Sequence, residues 1–587
     1  MAYRIRITPQ NKSITAKKNE LLADKIQESG INLSLYCNKR GLCGKCLVKI
    51  VEGKLPPLKK MEEFLLEQKK LKKNYRLSCL YKIKGDLSIE IPEESIIQEA
   101  LILKTGIKLS LPLDPAVKKY HLQLKKPEVS SPYSLMELFK QHFKEKNLSI
   151  PLALLKDMGK ILNKSRYHVT AAVHKDREIL SIEPLNTLSQ NFGISIDIGT
   201  TTLVVELLDL NTGEIVDTLT GMNSQVKYGT DVISRLSYAL LEEKNSEELR
   251  DSIIKTLNRM IARLLKKKKI DSSSVYEVVA AGNTSMNHLL LGVPVETLAA
   301  APFNPVFTCL PELSAHASGL KINKLGKVYI APNIKSFVGG DISAGLVATD
   351  LEKKKGNFLY IDLGTNGEIV LKKGKEFVAT STAAGPAFEG MNISCGMLAL
   401  PGAIYKAEYK DNNLKTFVIE NRAASGICGT GLIDIISISL EKGEISPKGT
   451  IQNKRKRIDV CANIFLTQKD VREMQLAISA IKTGIKMILQ ETNVKLGEID
   501  GIYIAGAFGN YLNIKNSMTI GLLPQIDKEK IIFIGNASLA GARALLLSKQ
   551  AREKIESLVK RVQFVSLATK PSFQENFIDA LEFTGQV

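Results

Sequence analysis

Apolar and polar residues alternate at the start of the chain, which is the pattern of a half-buried strand. The alternating apolar positions are Tyr3, Ile5 and Ile7. A second short strand over residues 13–16 would pair with the first as a hairpin, and residues 21–26 then present one apolar helical face. The apolar run over residues 47–51 predicts a third strand. These elements indicate a small module that mixes strands with a helix.

Two distant segments share one arrangement, in which two apolar runs flank a short polar turn. Each first run ends in an aspartate, and glycine and hydroxyl residues fill the turn. The residues are Asp197, Gly199, Thr200, Thr201 and Thr202 in one segment, and Asp362, Gly364, Thr365, Asn366 and Gly367 in the other. Each segment predicts a β-hairpin, and their repetition indicates an internal duplication.

Two later apolar runs also lead into small residues. The first is followed by Gly506, Ala507, Phe508 and Gly509, and the second by Gly535 and Asn536. Each predicts a strand that ends where a flat ring system can approach the backbone closely, because glycine has no side chain to prevent it.

The region between the amino-terminal module and the first aspartate turn is less regular. It contains several prolines, and residues 135–144 return to helical spacing. Four of the six histidines of the chain fall here, but they have neither H-x-x-x-H spacing nor a nearby cysteine. We predict a linker and a small helical middle domain over residues 93–187 and assign it no chemistry.

Length and composition set the broad class of the protein. The chain has 587 residues, of which 44% are apolar and 24% charged, so several compact domains are expected. No apolar run reaches the ~18 residues that a membrane helix needs, and the first residues lack the apolar stretch of a signal peptide. We therefore expect a cytoplasmic protein that does not enter a membrane.

The formal charge of +20 comes mainly from lysine. The densest lysine runs are short, no aromatic residues are interleaved with them, and tryptophan is absent. A solvated basic face is the simplest interpretation, and we expect no nucleic-acid binding. Attraction of an acidic protein partner remains open.

The cysteines indicate a metal centre in the amino-terminal module. Four of the eight lie within the first 79 residues, at Cys37, Cys43, Cys46 and Cys79. A tight glycine-containing loop of thiolates suits an iron–sulfur cluster, because backbone N–H groups then point at the sulfurs. Zinc is the alternative, although structural zinc usually draws on two close cysteine pairs. The module resembles [2Fe-2S] ferredoxins of the adrenodoxin kind, with a β-grasp fold over residues 1–92.

The paired aspartate turns suit nucleotide chemistry. A glycine turn brings backbone N–H groups close to phosphate oxygens, and hydroxyl side chains add further donors. An aspartate at the strand end would hold Mg²⁺, usually through water. The sequence contains no Walker motif, G-x-x-x-x-G-K-[ST].

In this order, the turns and the small-residue stretches resemble the superfamily of acetate and sugar kinases, heat-shock cognate proteins and actin. The resemblance implies a duplicated actin-like ATPase over residues 188–587, so the fold class is multidomain α+β and α/β. It implies phosphate binding at the two turns and adenosine binding at Gly506, Ala507, Phe508 and Gly509, with Gly535 and Asn536 nearby.

A [2Fe-2S] module joined to such an ATPase is similar to the reductive activators of corrinoid proteins. Local support comes from Asn223, Gln225, Arg235, Asn283, Asp341 and residues 384–390. The resemblance implies ATP-dependent, one-electron reduction of a protein-bound cobalt(II) corrinoid to cobalt(I), with Asp197, Asp362 and Glu389 as candidate catalytic residues. It also implies a corrinoid protein partner of a methyltransferase system and a low-potential electron donor, and it leaves a homodimer open.

Two other functions fit the same motifs. A small-molecule kinase with a redox-sensing ferredoxin domain would need an acceptor pocket with a catalytic carboxylate. A heat-shock-like ATPase would use its cluster structurally.

Overall fold

The computed structural model describes most of the chain, with gaps that are concentrated in the amino-terminal module and after it. The described residues are 2–29, 31, 33, 41, 44, 46–59, 62–63, 66, 71–72, 74–92, 95, 112–143, 148–411, 413–461, 463–506 and 512–584. Among these residues, none of the helices combines the length and the apolar character needed to cross a bilayer.

Runs of successive strands are separated by helices along the described chain. The strands are β1 (Ala2–Thr8), β2 (Lys12–Lys17), β3 (Leu47–Glu52), β4 (Tyr75–Leu77), β5 (Leu87–Glu90), β6 (Val117–Gln123), β7 (His168–His174), β8 (Glu178–Pro184), β9 (Phe192–Ile198), β10 (Thr202–Asp209), β11 (Ile215–Met222), β12 (Val275–Gly282), β13 (Leu313–Ser314), β14 (Lys327–Ile330), β15 (Asn357–Leu363), β16 (Gly367–Lys373), β17 (Glu376–Thr382), β18 (Ala403–Lys410), β19 (Asn413–Val418), β20 (Gly426–Ile427), β21 (Arg457–Cys461), β22 (Ile464–Thr467), β23 (Gly501–Ala505), β24 (Ile531–Gly535) and β25 (Val562–Phe564).

The helices are α1 (Leu22–Glu28), α2 (Leu135–Lys140), α3 (Leu152–Lys164), α4 (Val232–Leu241), α5 (Glu243–Lys268), α6 (Thr284–Leu291), α7 (Glu296–Ala299), α8 (Ala315–Ser318), α9 (Gly340–Thr349), α10 (Gly429–Glu441), α11 (Gln468–Thr492), α12 (Ile514–Thr519), α13 (Ala537–Leu547), α14 (Lys549–Val559) and α15 (Ser572–Asp579).

The amino-terminal module is a mixed sheet with one helix packed against it. Its strand order is β2-β1-β5-β3-β4, and only the β1 and β5 pair is parallel. Ile5 and Ile7 of β1 and Ile26 of α1 are buried in the same core, as the alternation and the helical spacing require. The predicted hairpin, helix and third strand are confirmed, and the arrangement is the expected β-grasp.

The linker region contains a sheet that the sequence analysis did not predict. Strands β6, β7 and β8 form an antiparallel sheet, with α2 and α3 beside it. The predicted helix at residue 135 is confirmed as α2, but the region is not simply helical. The strand pattern was obscured because Lys119 is buried in β6, paired with Glu183 at 2.7 Å, and β7 is buried on both faces.

Two larger sheets carry the predicted duplication. The first sheet has the order β11-β10-β9-β12-β14, extended by β13, and the second has the matching order β17-β16-β15-β23-β24, extended by β25. In each, three antiparallel strands are followed by two parallel ones. The two predicted hairpins are β9-β10 and β15-β16, and both are confirmed.

The sheets are layered with helices because successive side chains of a strand face opposite sides. In β15, Leu359 and Ile361 face a core that also contains residues of α10 and α11, whereas Tyr360 faces the layer between the two sheets. Helices α9, α13 and α14 fill that shared layer. Helices α5 and α6 cover the outer face of the first sheet. Both predicted turns therefore lie at ends of strands that the same central helices approach.

Candidate nucleotide site and cluster module

Two of the predicted cluster cysteines lie at the same end of the β3-β4 pair. Cys46 directly precedes β3, and Cys79 follows β4 by two residues; both side chains are buried. The backbone N–H and the hydroxyl of Ser78 donate to the carbonyl of Cys46 at 2.9 and 2.8 Å, which fixes the two segments together. Cys37 and Cys43 lie outside the described residues.

The glycines of the cysteine loop have the conformation that a tight loop requires. Gly41 and Gly44 have φ of 72° and 61°, a region that residues with a side chain adopt at a cost. A Cβ on Gly41 would also lie 2.6 Å from Leu80 Cδ1, so Gly41 lies closely against the residue that follows Cys79. Buried thiols beside a glycine loop fit the donor set of an iron–sulfur cluster.

The first aspartate turn is held by side chains that bind its carbonyl groups. Asn223 Nδ2 donates to Gly199 O at 2.9 Å, and the backbone N–H of Asn223 donates to Thr201 O at 2.8 Å. The fully buried guanidinium of Arg235 donates to Thr200 O. Among the described residues, nothing accepts a hydrogen bond from the N–H groups of residues 199–201. The turn therefore presents donors to an anion.

The second aspartate turn is held differently. Thr365 Oγ1 donates to Glu389 Oε1 at 2.7 Å, and Gly364 N donates to Asn366 O at 3.2 Å. Among the described residues, a Cβ on Gly364 would have only Asn366 O within 4 Å, at 3.6 Å, whereas a Cβ on Gly199 would lie 2.6 Å from Thr202 O. The backbone of the protein itself therefore requires a glycine in the first turn, and no described residue requires one at Gly364.

Asp197 is bound by the residues at the start of α13. Asn536 Nδ2 donates to Asp197 Oδ2 at 2.8 Å, and Ser538 Oγ donates to Asp197 Oδ1 at 2.7 Å. Asn536 also caps α13, because its Oδ1 accepts from Leu539 N at 2.8 Å. Burial raises the pKa of Asp197, and the two hydrogen bonds oppose that shift. Asn536 and Ser538, which follow strand β24 of the second sheet, thus bind an aspartate of the first sheet.

Asp362 has a carboxylate neighbour instead. Burial, followed by the charges of Asp341 and Asp197, raises the pKa of Asp362 to about 8. Burial and the charge of Asp197 raise the pKa of Asp341 to about 7. Glu368, on the strand that pairs with β15, also has a raised pKa, because it is buried near both Asp341 and Asp362. Such a group of acids favours a bound cation.

Glu389 completes the acidic side of the site. It is half-buried, and burial raises its pKa, opposed by its hydrogen bond from Thr365 and by the charge of Arg235. Arg235 also donates to Gly229 O at 2.9 Å, so the guanidinium joins the first turn to the start of α4. The two turns are therefore linked electrostatically through Arg235 and Glu389.

The predicted adenosine stretch is described at its first residue. Gly506 has φ of 112°, and a Cβ there would lie 2.4 Å from Leu363 O, so β23 and β15 approach closely at this point. Ala507, Phe508 and Gly509 lie outside the described residues. Gly535 has φ of 62° and directly precedes Asn536, the residue that binds Asp197.

The sequence pattern predicts the turns but not several residues that organise them. Asn223, Arg235 and Asp341 are indicated only by the family resemblance, and Ser538 is not indicated at all. One signal was available for Asp341, which is an acidic residue in the first turn of the otherwise apolar helix α9. The partnership of Ser538 with Asp197 has no local signal, because the two residues are far apart in the chain.

Family models match successive parts of the chain. They are a 2Fe-2S iron-sulfur cluster binding domain (residues 5–84), the RACo linker region (107–189), the RACo middle region (192–354) and the C-terminal domain of RACo, the ASKHA domain (356–586). The junction between the last two models falls between the first and second sheets.

Similar proteins extend the match over the whole chain. The corrinoid activation enzyme RamQ of Eubacterium limosum is 30% identical, and the alignment covers 96% of each protein. This chain belongs to the reductive activators of corrinoid proteins. Another relative of this activator is the [Co(II) methylated amine-specific corrinoid protein] reductase of Methanosarcina barkeri, 28% identical over 67% of the chain and 77% of that protein.

A solved structure supports the same assignment. The reductive activator for corrinoid,iron-sulfur protein superposes on this activator with a TM-score of 0.77 and 32% sequence identity, covering 99% of this chain and 98% of that one. The order of a 2Fe-2S domain, a linker region and a duplicated ASKHA ATPase is thus shared along the full length.

Proposed function

We propose that this activator uses ATP to drive one-electron reduction of a corrinoid protein from cobalt(II) to cobalt(I), through a [2Fe-2S] cluster, in support of corrinoid-dependent methyl transfer. One observation carries the proposal: a ferredoxin module with buried cysteines and two aspartate turns, linked through Arg235 and Glu389, belong to one chain. Residues 1–92 would carry the electron, residues 93–187 would link, and residues 188–587 would turn over the nucleotide.

The energetics explain why a nucleotide is needed. A plant-type cluster has a potential of about −400 mV. We take the cobalt couple to lie below it, and each further ~60 mV costs ~1.4 kcal/mol for one electron. Nucleotide binding offsets such a gap only if it favours one conformation or redox state of the complex over another.

Each part of the site has a role in this proposal. The N–H groups of the turn held by Asn223 and Arg235 bind phosphate oxygens, as do those of the turn that starts at Gly364. Asp362 and Asp341 hold Mg²⁺, whose charge would relieve the repulsion that raises their pKa values. The stretch from Gly506 to Gly509 receives the adenosine, and Glu389 orients the group that attacks the terminal phosphate.

Cys37, Cys43, Cys46 and Cys79 are the proposed cluster ligands. When bound, the cluster supplies a one-electron carrier. Ser78 holds the Cys46 and Cys79 segments together, and Gly41 and Gly44 have the positive φ angles that suit a tight turn. We also propose that the protein acts in the cytoplasm, that a low-potential donor reduces it, and that its basic surface meets an acidic corrinoid protein. The resemblance leaves a homodimer open.

The test combines the anaerobically reconstituted protein with a strong reductant, Mg-ATP and candidate corrinoid proteins. Cobalt(I) absorbance should appear with ATP, and omission of the nucleotide should leave cobalt(II). Cobalt(I) formation at the same rate without ATP would contradict the proposal. ATP consumption that depends on a sugar or carboxylate would indicate a kinase, and turnover indifferent to the cluster's redox state would indicate a heat-shock-like ATPase.

A cysteine variant separates the cluster from the ATPase. Cys79→Ser should alter or abolish the visible absorbance and reduce cobalt(I) formation at least tenfold, while ATP binding persists. Cys461→Ser is the matched control, because that cysteine lies in the distant strand β21. A colourless wild-type protein that contains one equivalent of zinc would indicate a structural zinc site instead of an iron–sulfur cluster.

A further inference from the structure

Helix α13 begins at the nucleotide site. Asn536, its N-cap, and Ser538, in its first turn, both donate to the carboxylate of Asp197, at 2.8 and 2.7 Å. Ser538 is buried and directed at the end of β9, immediately before the first phosphate turn. A movement of that turn on nucleotide binding therefore acts directly on the start of α13.

The other end of α13 is bonded to the linker region by the backbone. Asp114 N donates to Leu547 O at 2.9 Å, and Lys549 N donates to Asp114 O at 3.0 Å. These two hydrogen bonds flank Ser548, which forms an isolated parallel β-bridge with Asp114. The Lys549 ammonium adds ion pairs with Asp114 at 3.4 Å and Asp176 at 3.6 Å.

The linker region is fastened to the ATPase by buried ionic contacts close to this junction. Arg552 of α14 donates to both Glu277 of β12 and Glu312, each at 2.7 Å. Glu312 also pairs with Lys175, at 2.8 Å, which follows β7. The buried Arg552–Glu277 pair fixes α14 to the first sheet, where loss of one partner is costly, and the partly exposed Lys175–Glu312 pair joins the linker sheet to the same arginine.

Helix α13 is suited to transmit a movement of its first turn to its last residue, because it is rigid and closely packed. Its eleven residues form a rod about 16 Å long. It crosses α9 in close contact, because a Cβ on Gly541 would lie 1.9 Å from Ala344 O. Packed helices move as units, since interiors are dense and resist local compression.

We propose that α13 couples the occupancy of the nucleotide site to the linker strand at Asp114, and so to the chain segment that leads back to the ferredoxin module. Ser538 is the positioning residue at one end, and the bonds between Asp114, Leu547 and Lys549 form the other. The proposal rests on the proposed function only in naming the ferredoxin module as the responding part. Coupling of this kind is reciprocal, so the redox state of the module alters nucleotide affinity by the same factor.

The variant Lys549→Pro removes one of the two backbone bonds at the linker end of this connection. Lys549 is the first residue of α14, where proline is well tolerated, and Ser548 has φ −144° and ψ 115°, which suits a residue before proline. The change removes the N–H that donates to Asp114 O and also the ammonium. Lys549→Ala is the matched control, because it removes the ammonium but keeps the N–H.

Hydrogen exchange measured with and without a non-hydrolysable Mg-ATP analogue reads the coupling directly. In the wild type and Lys549→Ala, the analogue should change exchange both at residues 197–202 and at residues 114–123. In Lys549→Pro, the change at residues 197–202 should remain and that at residues 114–123 should be clearly smaller. An unchanged linker response in Lys549→Pro, or no linker response in the wild type, would overturn the proposal.

Nucleotide affinity supplies a second readout. The dissociation constant of the analogue should differ about fivefold or more between the dithionite-reduced and the oxidised wild type, and the ratio should be clearly smaller in Lys549→Pro. A ratio that stays at the wild-type value in the variant would also overturn the proposal. Should Lys549→Pro fail to fold, as judged by circular dichroism, Ser538→Ala must lower the ratio from the other end of α13, where Asn536 remains as the second contact.

The coupling and the proposed function fail in different experiments. A wild-type protein that shows the linker response but forms no cobalt(I) with any corrinoid protein retains the coupling and loses the function. A protein that forms cobalt(I) with ATP but shows no linker response retains the function and loses the coupling.

Discussion

Asp197 and Asp362 occupy equivalent positions in the two halves of the ATPase, one residue before the end of β9 and of β15. The helices that reach them are equivalent as well, because α13 and α9 each follow the last parallel strand of their sheet. The second residue of these helices differs: it is Ser538 in α13 and Asp341 in α9. Asp197 therefore receives a hydroxyl, and Asp362 has a carboxylate neighbour.

This one difference gives the two halves different chemistry. Neutral donors from Asn536 and Ser538 satisfy Asp197 within the protein. Burial and the charges of Asp341 and Asp197 instead raise the pKa of Asp362 to about 8, and burial and the charge of Asp197 raise the pKa of Asp341 to about 7. The duplication thus supplied two similar backbones, and the residue at the second position of the helix makes one aspartate hydrogen-bonded within the fold and leaves the other among acidic side chains.

The largest expected effect is on turnover when the second half is neutralised. Asp362→Asn should lower ATP hydrolysis at least a hundredfold and abolish cobalt(I) formation, because it removes a charge proposed to hold Mg²⁺. The cluster absorbance should not change. Asp527→Asn, at an exposed site with no side-chain cap bond, is the control for charge alone. A rate of ATP hydrolysis within threefold of the wild type would contradict a role for Asp362 in hydrolysis.

The two turn glycines provide a matched pair. Gly199→Ala should lower the free energy of unfolding by about 1–3 kcal/mol, because its Cβ would lie 2.6 Å from Thr202 O. Gly364→Ala should change stability by less than about 1 kcal/mol, since its nearest contact is 3.6 Å, yet it should raise the KM for ATP severalfold. Denaturant unfolding and steady-state kinetics check both.

The reverse result would be informative for this pair. If Gly364→Ala were the destabilising variant, or if neither variant affected ATP binding, the second turn would not receive phosphate. The inference that the protein requires the glycine at Gly199 and the nucleotide requires the one at Gly364 would then be wrong.

Removing the repulsion in the second half should stabilise the nucleotide-free protein. A carboxyl whose pKa is higher in the folded state than its ordinary value near 4 takes up protons on folding, so it costs stability as the pH rises from about 4 to about 8. Asp341→Asn should therefore raise the free energy of unfolding by about 1–2 kcal/mol at pH 8, after allowance for partial exposure, and by little at pH 4.

Unfolding of wild type, Asp341→Asn and Asp527→Asn across this pH range checks the sign. Asp527→Asn should show no such pH-dependent gain. An Asp341→Asn protein that is less stable than the wild type at pH 8 would mean that Asp341 forms a favourable contact with the fold rather than a repulsive one.

The smallest expected effect is at the contact between Ser538 and Asp197. Ser538→Ala should cost about 1 kcal/mol of stability and lower ATP turnover less than tenfold, because Asn536 still binds Asp197. Ser557→Ala, at an exposed position of α14, should do neither. A loss as large as that of Asp362→Asn would show that both halves depend equally on their aspartates.

Much of the fold could be predicted from local pattern. The alternation at Ile5 and Ile7, the two aspartate turns and the strand before Gly506 each appear as expected, because apolar periodicity and turn residues act within a few positions. The linker sheet was missed for the opposite reason. Lys119 is buried in β6 only because Glu183 reaches it from a strand more than sixty residues away, so the local pattern resembled an irregular segment.

The sequence by itself determined the duplicated architecture, the positions of both aspartate turns and the cysteine spacing of the ferredoxin module. Only the tertiary structure decided that Asp197 meets Ser538, 341 positions later, whereas Asp362 meets Asp341. Local propensity fixes where a strand ends and a helix starts. Which helix end meets which strand end depends on how α9 and α13 cross between the sheets, and that crossing sets the charge balance of the site.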